Sequence, residues 1–172
     1  TFNTVDYNVG ANKGLANSTT LTLDDTNRFL YVNSNWGSNQ WHILSFNVST
    51  VSDNMAATTG FGRVFLDADL NIDQNASGTM NDKFGEISGI AVDAIHNRLY
   101  VADKIWNRVL VYDAASTRTF GDGTNQAIAV LGQPNFDDLS TEDPSEAAAN
   151  NFTPGGIAVD PVANRLYVGD TH

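Results

Sequence analysis

The run Asp67-Ala-Asp69-Leu-Asn71-Ile-Asp73 sets an oxygen-bearing side chain at every second position, and Asn75 continues the series. Oxygen ligands at alternate positions are how a calcium-binding loop opens, because a hard cation takes carboxylate and amide oxygens. Asp67, Asp69, Asn71 and Asp73 are therefore candidate calcium ligands, and calcium is the one cofactor this sequence offers. Two residues depart from that pattern: Ile72 stands where the loop needs glycine, and Gly78 where it needs a bidentate glutamate. The interleaved Leu66, Ala68, Leu70 and Ile72 are also what a half-buried strand would show.

A second polar group recurs along the chain. Asp93, Asp103, Asn107 and Arg108 fall in one copy of a repeated pattern, and Asp160 and Asp170 in the next. An aspartate closing one strand and an arginine opening the following one can form an ion pair or cap a turn. Such residues are expected to be scaffold, since an active site does not repeat with every structural unit. The three histidines, His42, His96 and His172, fall in non-equivalent places. No zinc-protease helix, nucleophile elbow or phosphate loop is present. Trp36, Trp41 and Trp106 lie in or beside one kind of hairpin, where aromatics stack on a ligand or insert between layers. Glycosylation sequons at Asn17, Asn47, Asn75 and Asn151 are no more frequent than the abundance of Asn, Ser and Thr gives by chance.

The elements that hold these groups are clearest between Gly89 and Asp113. Three apolar runs, Ile90–Val92, Leu99–Ala102 and Val109–Tyr112, are too short for helices and are rich in Val, Ile, Leu and Tyr. Each reads as a strand. Apolar residues occupy both parities of every run, so both faces of the sheet must be covered. Self-comparison shows by what. Gly89-Ile-Ala-Val-Asp93 and Asn97-Arg-Leu-Tyr-Val-Ala-Asp103 recur 67 residues later as Gly156-Ile-Ala-Val-Asp160 and Asn164-Arg-Leu-Tyr-Val-Gly-Asp170. A looser copy lies upstream in Leu21–Asp24 and Asn27–Asn33, with Ile43–Phe46 as its third strand.

Fourth strands are expected at Gln126–Gly132 and, 66 residues earlier, at Arg63–Leu70, with Val64 matching Val130. The chain then divides into a leading linker (1–19), a first unit (20–70), a linker (71–88), a second unit (89–136), a linker (137–155) and half of a third unit (156–172). Glu142–Ala149 is expected to form a short helical turn.

A four-stranded antiparallel unit that is dry on both faces and repeats in tandem needs a copy of itself on each side. Radial packing of such units gives an all-β propeller, with the small residues Gly89, Ala91, Gly156 and Ala158 at the crowded axis. The repeat Gly-Ile-Ala-Val-Asp…Asn-Arg-Leu-Tyr-Val-Ala-Asp…Asn-Arg-Val-Leu-Val-Tyr-Asp resembles the NHL repeat. The Val130-Leu-Gly-Gln-Pro-Asn-Phe136 segment is similar to that of large bacterial or archaeal NHL-repeat proteins with long loops between blades. The resemblance implies four-stranded propeller blades, here two and a half of them. Such a partial ring must be closed by further blades or by other chains. In the first copy Ser34 replaces the signature aspartate and His42 the arginine.

Composition narrows the function. Twenty acidic and nine basic side chains give a net charge of −11, which disfavours nucleic-acid and anionic-membrane partners. No apolar run approaches the roughly 20 residues of a membrane-spanning helix. There is no cysteine for a disulfide, a thiolate metal site or a thiol nucleophile. Abundant Asn, Thr, Ser and Gly with few Lys suggest a secreted or cell-surface protein. The expectation is a non-enzymatic interaction or assembly module. Its partners would be further blades, copies of itself in a ring or filament, or a protein or glycan ligand. The rival is what the resemblance also implies, a propeller lyase or lactonase with a calcium-supported central channel. An unpartnered array should expose two apolar blade faces and an open strand edge.

Overall fold

A computed structural model of the chain describes residues 15, 17–35, 41–52, 55, 57–62, 81, 83–118, 125–138 and 152–171. The expected calcium run, the helical turn at 142–149, Trp36, His172 and the sequons at Asn75 and Asn151 lie outside these residues. The described part is all-β, with three antiparallel sheets and no α-helix.

Sheet one holds β1 (Leu21–Asp24), β2 (Phe29–Asn35), β3 (Trp41–Asn47) and β4 (Thr59–Gly62) in sequence order. Sheet two repeats this with β5 (Ile87–Asp93), β6 (Arg98–Asp103), β7 (Arg108–Asp113) and β8 (Ala129–Leu131). Sheet three is the pair β9 (Pro154–Asp160) and β10 (Arg165–Asp170). Hairpins connect neighbours, as local apolar runs punctuated by Asp and Asn favour. β5 and β9 begin two residues before the repeat match, at Ile87 and Pro154, because a bulge at Ser88 and the small Gly155 let pairing extend backwards.

The fourth strand described in sheet one is Thr59–Gly62, while the expected Arg63–Leu70 lies outside the described residues. Pairing decides this: Ile43 faces Phe61 as Val109 faces Leu131, so Gly62 is the counterpart of Gly132. Both glycines adopt left-handed φ, 112° and 90°. A Cβ on either would lie 2.7 Å from a phenylalanine ring, Phe84 or Phe152, of the following segment. Matching apolar residues slid the first copy by four positions, whereas the backbone aligns on the glycine.

The sheets stack face to face. Phe29, Tyr31, Ile43 and Phe61 of sheet one form a core with Leu99, Val101, Leu110 and Tyr112 of sheet two. Phe61 and Phe84 lie tilted against the Tyr112 ring with centroids 5.0 and 6.1 Å away. Each such pair adds about 0.5–1.5 kcal/mol beyond its buried area. The opposite face of sheet two, with Tyr100, Ala102, Val109 and Val111, packs on Ile157, Val159, Leu166 and Val168 of sheet three. Both dry faces of the best-preserved repeat are thus accounted for. Contact between sheets is concentrated on their first strands, β1 on β5 and β5 on β9.

The two outer faces differ from expectation. On sheet one Val32, Leu44 and Phe46 are buried, because Leu30, Val48, Met55 and Ala57 pack with them; Leu21 and Leu23 are exposed. The long β3–β4 connection folds back over the face that was expected to be bare. On sheet three the outward residues Ala158, Tyr167 and Gly169 are also exposed.

Candidate functional site

The turn between the first two strands of each sheet is built the same way. Asp24, Asp93 and Asp160 each accept, on Oδ1, the backbone N–H three residues on: Asn27 (2.9 Å), His96 (2.9 Å) and Ala163 (3.0 Å). One residue later the chain enters left-handed space at Arg28, Asn97 and Asn164 (φ 60°, 56° and 52°). Asparagine suits that conformation because its short polar side chain offsets the Cβ penalty. Asp93 is fully buried, and its Oδ2 lies 2.7 Å from His96 Nδ1. His96 is thereby committed to its own turn.

The turn between the second and third strands carries the densest electrostatics. Asn107 is left-handed (φ 49°), which brings Arg108 opposite Asp103 in the ladder. Arg108 Nε donates to Asp103 Oδ2 at 3.1 Å, with both side chains fully buried. Asp103 Oδ1 also accepts Gly85 N (3.0 Å) and Glu86 N (3.1 Å). The two outer guanidinium nitrogens donate to Phe136 O (2.7 Å) and Lys83 O (2.9 Å), and the group sits 4.8 Å over the Trp106 ring. One pair therefore clamps the segment entering sheet two, its central hairpin and the segment leaving it. Burial pushes the Asp103 carboxyl up to about 6, against the pull of Arg108 and of the two N–H donors.

The neighbouring repeats vary this clamp. Asp170 Oδ1 accepts Thr153 N at 3.2 Å, the counterpart of the Glu86 bond. In sheet one Ser34 and His42 face each other where Asp103 and Arg108 do in sheet two. There the amide oxygen of Asn33 takes the incoming backbone instead, from Thr19 N and Thr20 N at 2.9 Å each. The Gly-Gln-Pro-Asn-Phe segment belongs to the clamp as well. Gln133 donates to Trp106 O (3.2 Å), Thr153 Oγ1 to Asn107 Oδ1 (3.1 Å), and Phe136 supplies its carbonyl to Arg108.

No family model matches the chain, and no curated protein matches it. Among solved structures, it is similar to Kuenenia stuttgartiensis hydrazine synthase, with a TM-score of 0.45 and 13% sequence identity. The match covers 90% of this chain and 45% of that one, so the chain spans less than half the length of that protein.

A polar seam between sheets one and two has no counterpart in the sequence reading. Arg118 Nη2 donates to Asp24 Oδ2 (2.8 Å) and Asn97 Oδ1 (3.0 Å), joining the first turns of both sheets. Ser45 donates to Thr117 O (3.0 Å), and Tyr31 Oη lies 3.2 Å from Thr117 Oγ1; burial raises the Tyr31 pKa. Arg118 and Thr117 follow the third strand in a 3₁₀ turn, Ser116–Arg118, that no periodicity announces.

The structure does not bring the predicted polar residues to one place. Asp93 and Asp160 cap first turns, and Asp103, Asn107, Arg108 and Asp170 serve the second. Trp41 is buried in the core between sheets one and two, and Trp106 is half-buried under Arg108. His42 is buried in β3. Asn17 and Asn47 are exposed. Among the described residues no group of three His, Asp or Glu side chains could hold a metal ion. The calcium candidates Asp67, Asp69, Asn71 and Asp73 lie outside them.

Proposed function

We propose that the three stacked sheets are successive blades of an NHL-like β-propeller array, and that the chain is a non-enzymatic interaction or assembly module. One observation carries the reading. Tyr100 and Tyr167 hold the same place in consecutive repeats, facing the next sheet along. Tyr100, covered by sheet three, is 6% exposed, whereas Tyr167 is 53% exposed. A surface that is core in one repeat and bare in the next is an interface awaiting its partner. Contact concentrated on the first strands supports radial rather than parallel stacking, since wedge-shaped layers meet along their inner edge. The deep burial of Asp93, Asp103 and Arg108 supports a scaffold role, because groups committed to backbone partners and shut off from water cannot meet a substrate.

The partner in this reading is a surface of the same kind, either further repeats or another copy of the chain. Sedimentation at micromolar concentration with electron microscopy tests it. Association into rings, filaments or stacked oligomers, weakened by Tyr167→Asp, is the expected result. A folded chain that stays monomeric at all concentrations would overturn it.

A further inference from the structure

We infer that Asn47 is an N-glycosylation site. Its side-chain amide is presented on the folded surface to take an oligosaccharide from a lipid-linked donor, whereas that of Asn17 is not.

By sequence, Asn47-Val-Ser49 and Asn17-Ser-Thr19 are equivalent acceptors. What each sequon hydroxyl does in the fold separates them. Ser49 Oγ donates back to Asn47 Oδ1, and Ser49 N donates to the same oxygen at 3.0 Å. A backbone N–H can only donate, so the atom facing it is the amide oxygen and the outward atom is the nitrogen. No described residue takes a hydrogen bond from Asn47 Nδ2. Asn47 and Ser49 are both exposed.

The turn beneath them is firmly held. Asn47 N donates to Thr58 Oγ1 (3.0 Å) and Val48 N to Arg28 O (2.7 Å). Val48 packs with Val32, Leu44 and Phe46. The middle residue of the sequon therefore anchors the turn to sheet one while its two neighbours face water. Sheet two builds the same turn. Asp113 Oδ1 accepts Ala115 N at 3.1 Å, and Ala114 N donates to Asn97 O at 3.0 Å. The turn thus belongs to the repeat, and sheet one places an amide nitrogen and a hydroxyl on it where sheet two has aspartate and alanine.

Exposure of Asn47 is not a matter of a missing neighbour. It pairs with Phe29, whose ring lies in the core between sheets one and two. Cross-strand partners share a face, so Asn47 is on the side that sheet two already covers, beyond the covered part at the end of β3. Asn17 is differently placed. Its Nδ2 donates to Asn35 O (3.3 Å), and Thr19 Oγ1 accepts Asn33 Nδ2 (3.0 Å). Both halves of that sequon are spent on the fold.

The donor is an oligosaccharide joined through its C1 to a lipid diphosphate. Asn47 Nδ2 attacks C1, and the N–C1 bond forms as the C1–O bond to the diphosphate breaks. The bonding pair leaves with the lipid diphosphate, and Nδ2 gives one of its two protons to a base of the transferase. Lipid-linked donors are met by exported chains, in keeping with a composition rich in Asn, Thr, Ser and Gly.

The test incubates the folded 172-residue chain with such a donor and an oligosaccharyltransferase that accepts synthetic peptides covering residues 15–22 and 45–52. Mass spectrometry of the glycopeptides reads each site separately. Asn47 should carry the glycan and Asn17 should not, although both peptides do. Ser49→Ala should abolish modification at Asn47. Asn47→Asp, which copies Asp113, should leave the thermal midpoint unchanged and remove the glycan. Equal occupancy of Asn17 and Asn47 in the folded chain would overturn the inference. So would a folded chain left bare at Asn47 while the 45–52 peptide is modified, or undiminished transfer to Asn47 in Ser49→Ala.

Discussion

Arg108 Nε and Asp103 Oδ2 meet 3.1 Å apart across the β6–β7 turn, with neither side chain exposed to solvent. Removing either partner leaves a buried charge facing groups arranged for its opposite. Asp103→Ala and Arg108→Ala should each cost about 3–5 kcal/mol of stability. The Asp103→Leu/Arg108→Met double variant should lose far less than the sum of the two, since no buried charge is left alone. Urea denaturation of the four proteins completes the cycle.

The same carboxylate gives a pH signature. Its folded pKa is pushed up to about 6, above the ordinary 3.8, so in that interval the folded state holds a proton that the unfolded chain has released. Stability from this group is therefore highest below about 4 and falls as pH rises towards 6. The unfolding free energy of wild type minus that of Asp103→Asn should decline across that window and level off above it. A difference that rises with pH would contradict the burial-dominated account.

Tyr100 and Tyr167 differ in surroundings rather than in kind. Tyr100→Ala removes a ring buried between sheets two and three and should cost about 3 kcal/mol or more. Tyr167→Ala acts on an exposed side chain and should stay within about 0.5 kcal/mol in dilute solution. Denaturant midpoints at low protein concentration measure both. A large Tyr167 effect that grows with concentration would show that face to be covered in solution.

Gly89 and Gly156 make the same comparison in the backbone. A Cβ on Gly89 would sit 2.8 Å from the Ile157 side chain and 3.2 Å from its nitrogen, while one on Gly156 meets nothing within 4 Å. Gly89→Ala should destabilise by about 1–3 kcal/mol through overpacking. Gly156→Ala should be tolerated within about 0.5 kcal/mol. Thermal melts of the two variants distinguish them directly.

Much of the architecture was legible because it is written locally and more than once. Runs such as Leu99–Ala102, dry on both parities, required a covered sheet. The repeated Asp93…Asn97 and Asp160…Asn164 spacing marked turns whose chemistry is complete within five residues. The strand Thr59–Gly62, which no apolar run announces, shows the limit. Short edge strands carry little apolar signal, and what aligns Gly62 with Gly132 is a left-handed φ and a phenylalanine from the next segment. Neither is a property of the local sequence. Arg118 was missed for a similar reason, since its partners Asp24 and Asn97 are distant in the chain.

The sequence by itself determined that this is a tandem β array, where its first hairpins turn, and that Asp103 and Arg108 belong together. Periodicity and turn chemistry act over a few residues, and repetition makes them unmistakable. Only the tertiary structure decided which surfaces of these near-identical repeats are interior. Tyr100 and Gly89 are core because sheet three lies on them, and Tyr167 and Gly156 are surface because nothing described does. Burial is set by what stacks alongside, and a residue's own sequence neighbours do not specify that.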